Sequence, residues 1–368
     1  MLLGRKSAVL LAKIQDGQRR IWLAYIGPNR EASVSMIPRP KLDPGGFFRR
    51  IPLAPHQLTQ SLTPAKDAIV LCHLGVPHIE AAEWTLTIDG LVSRPHWIGF
   101  SELLEYPKHS ITSFHECAGS PLAPAEPTRR ICNVRWGGAR LADILRDCGP
   151  KPEAQFIWSY GADHGAFGGV TVDAYQKDLP LERVPEDVLI AYELNDAPLP
   201  RENGYPVRLL VPGFYGTNSV KWLTRLTLAD RRAEGPFTTR WYNDPVIDQD
   251  GRESGNSWPV WSVAPESVIV APAPGAGLAA GHDHLIWGWA WSDVGIARVD
   301  VRLDDGLDWI QAELAPRVER AWQRFSLTWR PARPGAFRLQ SRASNADGLT
   351  QPDVGARNAV HGVDVTVD

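Results

Sequence analysis

The feature that most restricts this chain lies in its final third, where apolar and polar side chains alternate with a period of two. Leu285, Trp287, Trp289 and Trp291 share one face of an extended segment. Val299, Val301 and Leu303 share another, with Arg298, Asp300 and Arg302 opposite. Phe325, Leu327 and Trp329 repeat the pattern, then Phe337 and Leu339, then Val363, Val365 and Val367. Such a period sends alternate side chains to opposite faces of a strand. Five half-buried strands, about a dozen or more residues apart, predict an antiparallel β-sandwich over 266–368. Eight of the 15 tryptophans lie from Trp258 onward, and such rings suit the core of a small sandwich. The stretch reads as a structural module.

Upstream the pattern is mixed. Residues 1–65 are irregular and read as an N-terminal arm. Over 66–238 apolar runs alternate with short polar turns. Thr85–Gly90 and Val188–Tyr192 read as strands, Arg208–Gly213 as another, and Leu141–Leu145 as a short helix. This predicts a mixed-sheet α+β domain. The segment 239–265, with Pro245, Pro259 and Pro265 among polar residues, reads as a connection. With 368 residues the chain has room for two ordinary domains.

Charge and cysteines exclude several classes. A net charge of −3 gives no support to nucleic acid or an anionic membrane as a bulk partner. No apolar stretch approaches the roughly 20 residues of a membrane span. The N-terminus makes a poor signal peptide because Lys13 interrupts its apolar run. Cytoplasmic residence is the expectation, with a periplasmic location left open. The 4 cysteines, Cys72, Cys117, Cys132 and Cys148, form no CxxC pair, which argues against a disulfide framework or zinc ribbon. Nucleotide-binding glycine motifs are also missing.

Three segments carry more than packing. Phe114-His-Glu-Cys-Ala-Gly-Ser120 contains a cysteine that, alone, is best read as a buried thiol beside a turn. Leu199–Arg208 and Val211–Leu223 contain Gly213 and Gly216, which let backbone amides approach an anion, with Arg208 and Lys221 to supply charge. Two solvated cations on a hairpin explain that pattern about as well. Arg240-Trp-Tyr-Asn-Asp244 is an aromatic turn that linker packing would equally explain.

Together these segments resemble the sulfite oxidase family of molybdopterin enzymes. Cys117-Ala-Gly-Ser120 is similar to the family's CAGN loop, and Arg135–Leu145 to its RWxGARLxDxL stretch. Residues 199–208 and 211–223 resemble LPRDHGFPVR and VPGxxGxxxVKWL at the same spacing, and Gly288–Ser292, Arg342-Ala343 and Asn358–His361 resemble the C-terminal dimerisation domain. The resemblance implies a molybdopterin-binding domain followed by an immunoglobulin-like sandwich and a homodimer. It implies a molybdenum–molybdopterin cofactor with Cys117 as the thiolate ligand to the metal. Arg208 and Lys221, with backbone at Ser219 and Val220, would hold the pterin and its phosphate. Asp163, His73, Cys72 and Asn203 fall where the family places cofactor contacts, and Tyr242 where it places an active-site tyrosine.

Departures from the family pattern concern the substrate. Leu71 and Cys72 stand for the Arg-Asn of its RNH motif, and Pro121 and Leu122 for the arginines after CAGN. Asn203 replaces the histidine of DHG. Each lost guanidinium removes up to a few kcal/mol of charge-assisted hydrogen bonding to an oxyanion. Arg129, Arg130, Arg240 and Arg357 are the candidates to compensate, with Arg240 and Arg357 foremost. The expected activity is two-electron oxygen-atom transfer on a small oxyanion or oxo substrate, sulfite by family default. The alternative is a less charged sulfur- or nitrogen-oxo substrate, also in the reductive direction. No CxxCH motif is present, so no c-type haem is expected, and a separate electron-transfer protein such as a cytochrome would be needed. A cysteine hydrolase with His115 activating Cys117, or a scaffold without metal, explain fewer of these residues together.

Overall fold

The structure is a computed structural model and describes residues 14–15, 18–19, 39–119, 130–247, 253–304, 308–354 and 357–368. The chain divides into two compact units, Met1–Pro40 and Lys41–Asp368. In the first, Ile14–Gln15 and Gln18–Arg19 form a short antiparallel pair. All that follows concerns the second.

Two five-stranded sheets make the catalytic half. In one, Lys108–Glu116, Ile131–Arg140, Leu189–Leu194 and Ala197–Pro198 lie side by side, with Arg208–Leu210 also on Leu189–Leu194. In the other the order is Gln176–Pro180, Phe156–Gly161, Leu223–Ala229, Thr85–Gly90, His96–Gly99, and only the pair Leu223–Ala229 with Thr85–Gly90 is parallel. The expected strands and mixed-sheet α+β architecture are present. The short helix spans Leu141–Cys148 and ends at Gly149 with φ 63°, the left-handed stop that glycine adopts without a Cβ clash. Its buried residues, Leu141, Ile144, Leu145 and Cys148, recur at helical spacing and face one core.

The expected arm is not uniform. Leu42–Gly45 pairs with Gly75–Pro77, and Phe48–Arg49 with Leu71–Cys72, so the chain from Leu42 is stitched to the strands that carry the site. The connection also has structure: Asn243–Ile247 and Glu253–Pro259 pair antiparallel.

The C-terminal half is the expected sandwich. Glu266–Ala271, His284–Trp291, Gln323–Trp329 and Glu313–Leu314 form one sheet. Gly277–Leu278, His361–Val367, Gly335–Asn345, Ile296–Arg302 and Ile310–Gln311 form the other. Its alternation is as expected, but the inward face of His284–Trp291 is the opposite one. Ile286 and Ala290 join the core between the sheets, with Val299, Phe325 and Leu339. A Cβ on Gly288 would meet the Phe325 ring at 2.8 Å, so the interior uses a residue without a side chain there to admit that ring. Trp289 and Trp291 instead join Leu58, Phe114, Ile131, Tyr215 and Trp322 in a cluster between the sandwich and the catalytic half. Sheets stacked about 10 Å apart have little room for three indoles on one strand. Trp289 and Trp291 are therefore covered within the chain, while Trp287 is only partly buried and Leu285 is exposed.

Candidate active site

The linked motifs converge on one cavity, lined by residues that come from distant parts of the chain, from Ile69 to Tyr242. Cys72, His73, Cys117, Asp163, Arg208, Ser219, Val220, Lys221 and Tyr242 all line it. Three expected site residues do not. Asn203 is buried behind it and lends its backbone carbonyl to Arg208. Arg240 is exposed, with its guanidinium 5.4 Å over the Trp241 ring. Arg357 is tied to Asp244 and lies 5.3 Å over the Tyr215 ring. The two foremost substrate cations thus stand outside the lining. Pro121, Leu122 and Arg129 lie outside the described residues.

Cys117 follows the strand Lys108–Glu116, where pairing with Ile131–Arg140 ends. Its amide donates to the Arg130 carbonyl (2.9 Å), and the Arg130 guanidinium donates to the Gly119 carbonyl (3.0 Å). The half-buried thiol stands at the cavity wall. The preceding residue, Glu116, is fully buried and receives the Trp291 indole N–H (2.8 Å), so the sandwich braces the cysteine from behind. His115 does not serve the thiol. Its Nε2 faces Arg208 Nη2 at 3.4 Å, and burial, then Arg208 and Lys221, push its pKa well down. An imidazole that faces an arginine and whose pKa is pushed well down is a poor base for Cys117, which weighs against the hydrolase alternative.

Both cations are engaged by the protein itself. Arg208 is 3% exposed and donates to the carbonyls of Asn203 (2.9 Å) and Ser219 (2.8 Å), with the Trp136 ring 4.9 Å below it. Lys221 Nζ donates to the Leu71 and Glu202 carbonyls (3.0 Å each) and to Cys72 Sγ (2.9 Å). Arg208 clamps the Asn203 and Ser219 backbones and Lys221 those of Leu71 and Glu202, and both present positive charge to the cavity. Asp163 is the buried counterpart: burial raises its carboxyl to about 7, against the pull of Lys221.

At the other end Tyr242 Oη and His73 Nε2 are 2.6 Å apart. Burial, then Lys221, lowers His73 to about 4, so the imidazole is neutral near pH 7 and shares a hydrogen bond with the phenol through Nε2, its direction set by the tautomer. Phe167 and Tyr175 pack on His73 at 4.7 and 5.8 Å between centroids. Tyr242 has φ 61° and Trp222 φ 49°, left-handed conformations that cost of order 1–3 kcal/mol in bulky residues and cluster at functional sites. Tyr175 and Thr217 also line the cavity and were not expected as site residues, and His115, expected only as the base of the hydrolase alternative, lines it too. Thr217 lies inside the Val211–Leu223 motif and was within reach of it; Tyr175 stands in no motif, and only its pairing across the fold brings it here.

Comparison with known proteins accords with this geometry. Residues 73–237 match the oxidoreductase molybdopterin binding domain, and residues 258–366 the Mo-co oxidoreductase dimerisation domain. Sulfite oxidase of Gallus gallus is 32% identical over 320 residues, 79% of this chain and 68% of that protein. The mitochondrial sulfite oxidase of Drosophila melanogaster is 31% identical over 309 residues, 78% of this chain but 53% of its own length. The chain thus spans between about half and two thirds of these relatives. The crystal structure of the sulfane dehydrogenase SoxCD from Paracoccus pantotrophus superposes with a TM-score of 0.70 at 31% identity, covering 83% of this chain and 82% of that one. With both domain models matched in order and a sulfite oxidase 32% identical over most of its length, the chain belongs to the sulfite oxidase family of molybdopterin-dependent oxidoreductases.

Proposed function

We propose that this enzyme performs oxygen-atom transfer on a sulfur substrate carrying less charge than the sulfite dianion. One observation carries the reading. Around Cys117 and Tyr242 the cavity is walled in part by Leu71, Ala118, neutral His73 and phenols, and the nearby cations are already engaged: Arg208 and Lys221 on backbone carbonyls and a thiol. In the adjoining pocket that Cys117 also lines beside Arg49, Arg130 is held on the Gly119 carbonyl and Arg50 on the Ala68 carbonyl and Glu202. The likeness to a sulfane dehydrogenase gives such a substrate a precedent.

The residues fit the cofactor. A thiol at the cavity wall is a soft donor suited to molybdenum. A buried carboxyl at Asp163 can accept from pterin N–H groups, and Arg208 and Lys221 place positive charge where an anionic group would end. Cys117 would ligate the metal. Asp163, Cys72, His73 and the Ser219–Lys221 backbone would hold the pterin, with Arg208 and Asn203 fixing that backbone. When bound, the cofactor supplies two-electron oxygen-atom transfer. Tyr242 would donate its phenol hydrogen bond to the substrate in exchange for His73, whose neutral imidazole adds no charge at that end. The aromatic rings on His73 exclude water from that end. A separate electron-transfer protein, such as a cytochrome, would remove the electrons, and the sandwich would join two copies.

Elemental analysis of protein from a cofactor-competent host is expected to give about one molybdenum per chain; protein without molybdenum or pterin would overturn the site assignment. Sulfite is expected to be a poor substrate, with kcat/KM below about 10⁵ M⁻¹s⁻¹. An efficiency at or above that value would mean that cations outside the lining take part.

A further inference from the structure

Strand Gln176–Pro180 brings a lysine into the interior behind Tyr242. Lys177 is 1% exposed, and its ammonium has no hydrogen-bond partner among the described residues. The cross-strand neighbour, Ser159, has a buried hydroxyl equally without one. The adjacent carboxylate, Asp178, turns to the other face of the strand and holds Arg232 at 2.8 and 3.2 Å. What Lys177 does face is the Tyr242 ring, with Nζ 5.7 Å from its centroid.

A buried ammonium without an acceptor is among the least favourable things a core can hold. Here it meets a tyrosine that is itself in a left-handed backbone conformation. The phenol oxygen of that ring is held by His73 and Thr217, but hydrogen bonds at the tip do not themselves clamp rotation about the ring's long axis. An ammonium against the face is drawn to the ring's negative side and resists that rotation. In surroundings of low dielectric its field also reaches an anion beyond the ring with little screening.

We propose that Lys177 is a positioning residue for Tyr242, its ammonium fixing the ring plane and giving the substrate end the positive potential that a leucine at position 71 cannot. The inference rests on Tyr242 facing the substrate, as proposed above.

Holoenzyme carrying Lys177→Met, which keeps the length and removes the charge, tests it with sulfite as the probe. KM is expected to rise about ten-fold with kcat within about two-fold. In fluorine NMR of fluorotyrosine-labelled protein, the Tyr242 resonance, identified by its loss in Tyr242→Phe, is expected to shift and broaden. Tm is expected to rise, because an uncompensated buried charge is gone. Lys177→Arg is expected to recover KM and the resonance. An unmoved resonance with unchanged KM overturns the proposal. So does a Lys177→Met protein that melts earlier or fails to fold, since Lys177 would then be structural. If Tyr242→Phe alone leaves kcat and KM unchanged, the substrate-facing reading of Tyr242 falls instead.

Discussion

The cavity and the tryptophan-lined face of the sandwich are both interior, yet they treat polar atoms in opposite ways. At the interface each ring nitrogen has an acceptor. Trp289 donates to the Leu58 carbonyl (2.7 Å), Trp322 to the Ser61 carbonyl (3.0 Å) and Trp291 to Glu116 (2.8 Å). Trp289 and Trp322 also stack at 4.8 Å and 9°. Around the cavity, Asn203 Oδ1, Trp136 Nε1 and Lys177 Nζ are buried without hydrogen-bond partners, and Asp163 is buried against its preference for water. The first region maximises stability; the second gives some of it up to keep charges and conformations ready for a ligand. They meet at Glu116, which takes the Trp291 hydrogen bond and precedes the metal-ligand candidate.

The largest expected effect lies on the cavity side. Cys117→Ser should bring turnover to background while changing stability by under about 1 kcal/mol, read by steady-state assay and thermal melt on the same sample. Near-normal turnover would remove the thiolate from the mechanism. On the interface side the division reverses. Trp289→Ala should cost about 3–5 kcal/mol in urea unfolding, with kcat per folded molecule unchanged; loss of activity beyond the unfolded fraction would show that the two regions are not separable.

Asp163 sharpens the same contrast through pH. Its folded pKa of about 7 lies above the ordinary 3.8. The stability linked to its protonated form is therefore complete below the ordinary value and lost as pH rises through about 7. Asp163→Asn should stabilise cofactor-free protein above that pH by up to roughly 4 kcal/mol, the gain narrowing steadily as pH falls. A gain independent of pH would mean that the carboxyl is not the cause. The smallest effect is expected at Arg240, exposed over Trp241. Arg240→Ala should move stability by less than about 0.5 kcal/mol and turnover by less than about two-fold. A larger loss of turnover would return Arg240 to the substrate site and draw the boundary of the cavity wider.

Much of the architecture was legible before any coordinates. Period-two alternation foretold the sandwich strands, because the pleat forces alternate residues to opposite faces whatever covers them. The same period says nothing about which face looks inward. Trp287, Trp289 and Trp291 read as the sandwich core, yet Ile286 and Ala290 fill it, since a face covered by another domain is as apolar as one covered by the opposite sheet.

The site divides along the same line. Nine expected residues, scattered between positions 72 and 242, line one cavity, and their side-chain chemistry was readable from linked motifs. Who partners whom was not. That Arg208 and Lys221 grip backbone, that Arg357 pairs with Asp244, and that Lys177 stands behind Tyr242 are facts of distance between elements far apart in the chain. By itself the sequence determined the period of each segment and the chemistry each side chain can offer. Only the tertiary structure decided which of those groups are engaged, buried or left without a partner, because hydrogen bonding and desolvation depend on neighbours that the folded chain alone supplies.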